Sequence, residues 1–179
     1  MEHILVERYF DKFVDFDTFE GLSSRAPWCY EQYRLSYWGS YNSIQGDRVF
    51  CHFQAPDVES FRKPNRQHRV PFTRAWAAQI AAGLVPADLK GPRELVRRLC
   101  PKVFETQPEA EPMPQVVVIV TNGTVANDLP GRHLWTYQSR GTDRTVSIRD
   151  ETSEVAVREA APSGTEIWDA VVRTRHISG

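Results

Sequence analysis

Most of the imidazole and phenol groups, side chains of the kind that move protons, lie in the first eighty residues. His52 titrates close to neutrality and serves as a general acid or base when a neighbouring carboxylate orients its ring. Strand alternation puts Val49, Cys51 and Phe53 on one face and Phe50, His52 and Gln54 on the other. In the opening strand it puts Ile4, Val6 and Arg8 on one face and Leu5, Glu7 and Tyr9 on the other. If the polar alternates of both strands share a sheet face, Glu7 stands beside His52 as a proton-transfer pair. Tyr41 adds a hydroxyl donor to this catalytic set. Tyr9, Tyr37, Trp38, Phe50, Gln54 and Trp76 then supply the lining for a flat or apolar substrate. The competing arrangement is plainer: Glu7 pairs with an arginine, His52 satisfies a backbone group, and the aromatic residues, Trp76 above all, are core.

Metal chemistry is the second option. His3, His52, His68 and Glu7 are available as ligands, with His52, His68 and Glu7 the alternative set for nickel or zinc, yet no HxH, HExxH or HxxxH spacing places two on one element face. No organic cofactor is expected. Three cysteines, Cys29, Cys51 and Cys100, form an odd set without CxxC spacing, which suggests neither disulfides nor a zinc knuckle and fits a reducing cytoplasm. Cys29 and Cys51 are expected to behave as small buried hydrophobes. Twenty-two basic against twenty-three acidic residues leave a formal charge of −1, scattered rather than striped, which argues against nucleic acid. The basic run from Arg62 to Arg69 is expected to be a solvated loop. The longest apolar run, Val116 to Val120, is too short to cross a bilayer as a helix, and the N-terminus has no basic leader, so no membrane partner is expected.

The elements that must position these residues centre on Tyr37 to Asp57. Aromatic and β-branched residues alternate with small or polar ones on both sides of Gln45-Gly46-Asp47, which predicts a β-hairpin whose turn needs the positive φ of Gly46. Before it come a strand from Ile4 to Phe10 and an amphipathic helix capped by Asp17 and interrupted at Pro27. After it, Asp57 caps a short helix ended by Pro64, and Val70 to Ala78 closes the unit as a strand. The order strand, helix, strand, strand, helix, strand predicts a ferredoxin-like α+β sandwich over residues 1–82, with both helices on one face of a four-stranded sheet.

The pattern then recurs. Ser40-Tyr41-Asn42-Ser43 and Asp47-Arg48 are matched without a gap by Thr136-Tyr137-Gln138-Ser139 and Asp143-Arg144, with Trp38 answered by Trp135 one place out of step. Residues 115–179 read as a second, degenerate unit with strands at Gln115 to Thr121, His133 to Ser139, Arg144 to Arg149 and Ile167 to Ile177. Ser153 caps its helix, and Trp168 answers Trp76. Asn122 to Arg132 is too short to hold a first helix of full size. Between the units, residues 83–114 form a Pro-rich linker with one helical segment, Pro92 to Leu99. Ile148 replaces His52 in the second copy, so any site belongs to the first.

Val6-Glu7-Arg8, Trp38-x-Ser40-Tyr41, Arg48-x-x-Cys51-x-x-x-Ala55-Pro56-Asp57 and Val70-Pro71-Phe72-x-x-Ala75-Trp76 occur in order. Over residues 1–80 this string resembles a bacterial family of nickel-binding-protein-like domains within the ferredoxin-like dimeric α/β barrels. The resemblance implies two sheets packed face to face, here both from one polypeptide as an intramolecular α/β barrel, with pairing of copies as a homodimer left open. It also implies a range of chemistries that fold alone does not choose between. The expectation that follows is a cofactor-independent enzyme carrying out isomerase, cyclase or lyase chemistry on a small aromatic or polyketide-like substrate. The alternatives are a nickel or other divalent metal-binding module and a non-catalytic ligand carrier.

Overall fold

The computed structural model describes residues 1–15, 18–19, 21, 28–81, 115–125 and 128–173. The elements run β1 (Glu2–Tyr9), α1 (Trp28–Gln32), β2 (Ser36–Ser43), β3 (Arg48–Ala55), α2 (Val58–Gln67), β4 (Arg74–Ala81), β5 (Gln115–Asn122), β6 (Arg132–Ser139), β7 (Arg144–Asp150), α3 (Glu154–Ala160) and β8 (Glu166–Arg173). All neighbouring strands pair antiparallel, and the sheet closes on itself in the order β1-β3-β2-β8-β5-β7-β6-β4. The expected α+β fold is therefore corrected. The protein is one eight-stranded antiparallel β-barrel with few helices, not two ferredoxin-like units and not a dimeric α/β barrel of the kind the resemblance implied.

Closure has a physical cause in the sequence. The first four strands bury both faces, so helices of five and ten residues on one side cannot be the whole of their cover. The other face is buried by the remaining four strands. Strands β2 and β8, and β4 and β6, zip the two sets together over four register pairs each. No edge strand is left with unpaired backbone groups. Inside, Leu5, Tyr41, Phe50, Val118, Trp135, Tyr137, Val146, Ile148 and Trp168 form a continuous core. An eight-stranded barrel is just wide enough for such side chains to fill.

Outside, Ile4, Val6, Val49, Cys51 and Phe53 pack with Phe61 of α2, and Val117, Ile119 and Ile167 pack with Val157 of α3. Asp57 caps α2, its carboxylate accepting from the Ser60 backbone N–H at 2.7 Å, and Ser153 caps α3. Helix α2 runs through Pro64 to Gln67 rather than stopping before it, because Pro64 and Phe61 are both buried against the sheet. Strand β4 starts at Arg74, after Arg69 takes a left-handed conformation. The caps expected at Asp17, the linker helix Pro92 to Leu99 and residues 174–177 of the last strand lie outside the described residues, as do the side chains of Cys29 and Cys100.

The strand order of the first set, β4-β1-β3-β2, is repeated by the second, β8-β5-β7-β6. Tyr41 faces Phe50 and Tyr137 faces Val146, a spacing of 96 in both strands. Each hairpin also carries a bulge at the same place, between Tyr37 and Gly39 and between His133 and Trp135. The bulges resolve the tryptophan mismatch. Trp38 corresponds to the bulged Leu134, and Trp135 stands where the first copy has Gly39.

Candidate functional site

Alternation places His3, Leu5, Glu7 and Tyr9 of β1 on the barrel side, beside Gln54, His52, Phe50 and Arg48 of β3. Phe50 and Leu5 fill the middle of the barrel. The polar groups therefore divide into two clusters, one towards each end. The expected pair of Glu7 and His52 is on one face of adjacent strands, but the two side chains belong to different clusters.

At the His3 end, four rings are joined by hydrogen bonds. His3 Nδ1 lies 2.9 Å from His52 Nε2, His52 Nδ1 lies 3.0 Å from the Tyr137 hydroxyl, and that hydroxyl lies 2.7 Å from the Tyr41 hydroxyl. His3 is half-buried, whereas the other three are buried. The run therefore leads from the barrel mouth to its interior and joins both halves of the chain. The β2 bulge turns Trp38 onto this cluster, its ring 5.2 Å from that of His52 and 5.4 Å from that of His3. Burial, with the neighbouring His3, holds the His52 pKa well below the ordinary histidine value, so its ring is neutral at physiological pH. Burial, Arg140 and the N-terminus lower His3 as well. Burial raises both tyrosines, and in Tyr41 the Tyr137 phenol adds to it, so both hydroxyls keep their protons. Four neutral groups, each both donor and acceptor, can pass protons without holding a charge.

At the other end Glu7 is fully buried and committed. Its carboxylate accepts from Arg144 Nε at 2.5 Å and Nη2 at 2.6 Å, and from the Trp76 indole N–H at 2.7 Å. The plainer expectation of an arginine partner is thus the one seen. Arg144 also reaches the Tyr9 hydroxyl, which donates to Glu166, and Glu166 accepts from Arg48 at 2.7 Å. Arg48 and Arg144 are the two arginines of the sequence repeat, and each pairs with an acid of the opposite half. This network ties the halves together around the barrel axis and holds Glu7 in a buried ion pair with Arg144.

Of the other expected lining residues, Phe50 is central core, Gln54 is half-buried opposite His3, and Tyr37 faces outward among Phe53, Val49 and Leu35. Trp76 is a half-buried wall of the interior rather than plain core. His68 ends α2 on the outside of the barrel, away from His52 and Glu7, and no cluster of three or more His, Cys, Asp or Glu side chains suited to a metal occurs among the described residues. Cys51 lies under α2 with its thiol pKa raised by burial, which the nearby Arg8 only partly opposes.

Sequence reasoning missed His3 as a partner of His52, Tyr137 as the link to Tyr41, and Arg144 as the partner of Glu7. Two signals were present. His3 is on the same alternating face as Glu7, and Tyr137 and Arg144 belong to the repeat. No protein-family model, curated protein or solved structure matches the chain. No described helix is long and apolar enough to cross a membrane.

Proposed function

We propose that the barrel is a cofactor-independent enzyme that moves a proton on a small, flat substrate, in isomerase, cyclase or lyase chemistry. The observation that carries this is the unbroken His3–His52–Tyr137–Tyr41 run, because a structural core has no need of a neutral hydrogen-bonded path from the mouth to the centre. His52 holds the exchangeable proton, Tyr137 and Tyr41 relay it towards the substrate, and His3 relays it to solvent. Trp38 packs its ring, tilted, against that of His52 and restricts its rotation. Glu7 belongs to the ion-pair network and takes no part in proton transfer. The odd cysteine count and the buried thiol of Cys51 suit the cytoplasm as its compartment.

The test is deuterium exchange into a panel of enolisable aryl ketones in D2O, followed by NMR. The wild type is expected to accelerate exchange over buffer, and His52→Ala to lower that rate by roughly 10² to 10⁴ with little change in affinity. Thermal melts of both proteins separate lost chemistry from lost fold. A wild type that binds the ketones and exchanges none of them is a carrier. One that retains stoichiometric nickel or zinc after dialysis, and loses it on His52→Ala, is a metal module.

A further inference from the structure

The run of hydrogen bonds has a direction. Neutral His52 carries one ring hydrogen and each phenol one, so the three bonds point outwards or inwards as a set. Pointing outwards, Tyr41 donates to Tyr137, Tyr137 to His52 Nδ1, and His52 Nε2–H to His3 Nδ1, which leaves the His3 Nε2–H for the mouth. Every donor then has an acceptor or solvent. Pointing inwards, the last donor is the Tyr41 O–H, which is buried and has no acceptor among the described residues. A mixed arrangement strands the Tyr137 O–H instead.

What closes the inner end decides between the two senses. Trp135 is 1 % exposed, with its ring 6.2 Å from that of Tyr41 and 6.5 Å from that of Tyr137. Its Nε1–H falls short of regular hydrogen-bond geometry, yet it acts on both hydroxyls as a donor and favours their ionised forms against the effect of burial. An indole can only donate. It offers the Tyr41 O–H no lone pair, and its own hydrogen opposes any O–H turned towards it. The cross-strand neighbours of Tyr41, Phe50 and Val172, are hydrocarbon and offer none either.

Resting on the proton-transfer reading above, we infer that Trp135 is a positioning residue of the relay. By closing the inner end with a group that cannot accept, it points all three hydrogen bonds towards the mouth and holds His52 as the Nε2–H tautomer. Turning the run round leaves one buried O–H unpaired, a roughly ten- to hundredfold disadvantage. The polarity also orders the chemistry. As His3 gives its Nε2–H to water, the shared proton passes from His52 Nε2 to His3 Nδ1, the Tyr137 proton to His52 Nδ1 and the Tyr41 proton to Tyr137. One proton leaves, both histidines stay neutral, and Tyr41 becomes a phenolate facing the Trp135 N–H, a preorganised donor for that charge. The resting relay is therefore set to remove a proton first, with Tyr41 as the base. Returning one through Tyr41 requires all four groups to turn.

Long-range proton–nitrogen NMR of the histidine rings, at about pH 8 where imidazole is neutral, tests this without a ligand. His52 and His3 are assigned by the signals lost in His52→Phe and His3→Gln. The wild type is expected to show a single His52 tautomer, Nε2 protonated and Nδ1 bare, and His3 the same. Trp135→Phe offers no acceptor either, so it should keep that tautomer. Trp135→Gln places a carbonyl beside Tyr41 and should raise the Nδ1–H form at least roughly tenfold. Both variants leave a void, so only the added acceptor separates them. Thermal melts establish which of them fold, and if neither does, the wild-type spectrum decides alone. A wild-type His52 protonated at Nδ1, or averaging between both nitrogens, overturns the inference, whether the missing acceptor is a water or another group. A folded Trp135→Phe that reverses, or a folded Trp135→Gln that does not respond, overturns the role of Trp135. A single Nε2–H tautomer in a protein that exchanges no ketone keeps the polarity and removes the enzyme. Ketone exchange by a protein with the reversed tautomer does the opposite.

Discussion

Replacing Arg144 by alanine should be among the costliest single changes in the barrel. The Glu7 side chain is 0 % exposed and that of Arg144 13 %, and Arg144 makes two of the three hydrogen bonds to the carboxylate. Removing it leaves a buried anion held by the Trp76 N–H alone, for which about 3–5 kcal/mol is the usual loss. The double change Glu7→Leu with Arg144→Met removes both charges and leaves only the Trp76 N–H unpaired, a cost of about 1–3 kcal/mol partly offset by apolar packing. The double variant should therefore be the more stable of the two. Arg48 and Glu166 form the contrasting pair, with side chains 22 % and 32 % exposed, and Arg48→Ala should cost only about 0.2–1 kcal/mol through that contact. Urea denaturation followed by tryptophan fluorescence and by far-UV circular dichroism measures all three. A loss below about 1 kcal/mol for Arg144→Ala, with an unchanged denaturant slope, would refute the reasoning, since the pair would then be behaving as if exposed to water.

Two further predictions concern pH and a turn. The folded pKa of His52 lies below its unfolded value of about 6.5, so below that pH the unfolded chain binds more protons than the folded one. Stability should be full above about pH 6.5 and fall as the solution is acidified towards the folded pKa, with a slope from this residue approaching 1.4 kcal/mol per pH unit, roughly. Urea titrations from about pH 8 to about pH 5 should show a shallower fall in His52→Phe, and an identical fall in both proteins contradicts the assignment. Gly46 turns the β2–β3 hairpin at φ +67°, and an added Cβ would run into the Phe13 ring. Phe13 is exposed and can swing aside, so the left-handed backbone sets the cost of Gly46→Ala at about 1–2 kcal/mol. Adding Phe13→Ala should recover little of it, and a full recovery would show that the ring, not the backbone, was at fault.

Period-two alternation was enough to assign faces. Val49, Cys51 and Phe53 lie under α2 while Phe50 and His52 point inward, as their spacing required. Both hairpins, the Gly46 turn and the caps at Asp57 and Ser153 were also legible, because each depends on residues within a few positions of one another. The bulges were not. They insert Trp38 and Leu134, and only the first is flanked by a glycine, Gly39, that could mark it, so the tryptophans of the repeat looked out of step. Helical patterns were legible too, but their weight was overrated, and an α+β fold was expected where a β-barrel stands.

Alone, then, the sequence determined which residues alternate inward, where the chain reverses and that two stretches 96 positions apart are alike, because these follow from local backbone preferences and side-chain period. Tertiary structure decided what the inward residues meet. Glu7 finds Arg144 137 residues away, His52 finds Tyr137 85 residues away, and Tyr41 finds its own counterpart across the barrel. Those partners exist only once β2 has joined β8 and β4 has joined β6. The two seams depend on the net burial of both apolar faces at once, a property of all eight strands that no local window contains.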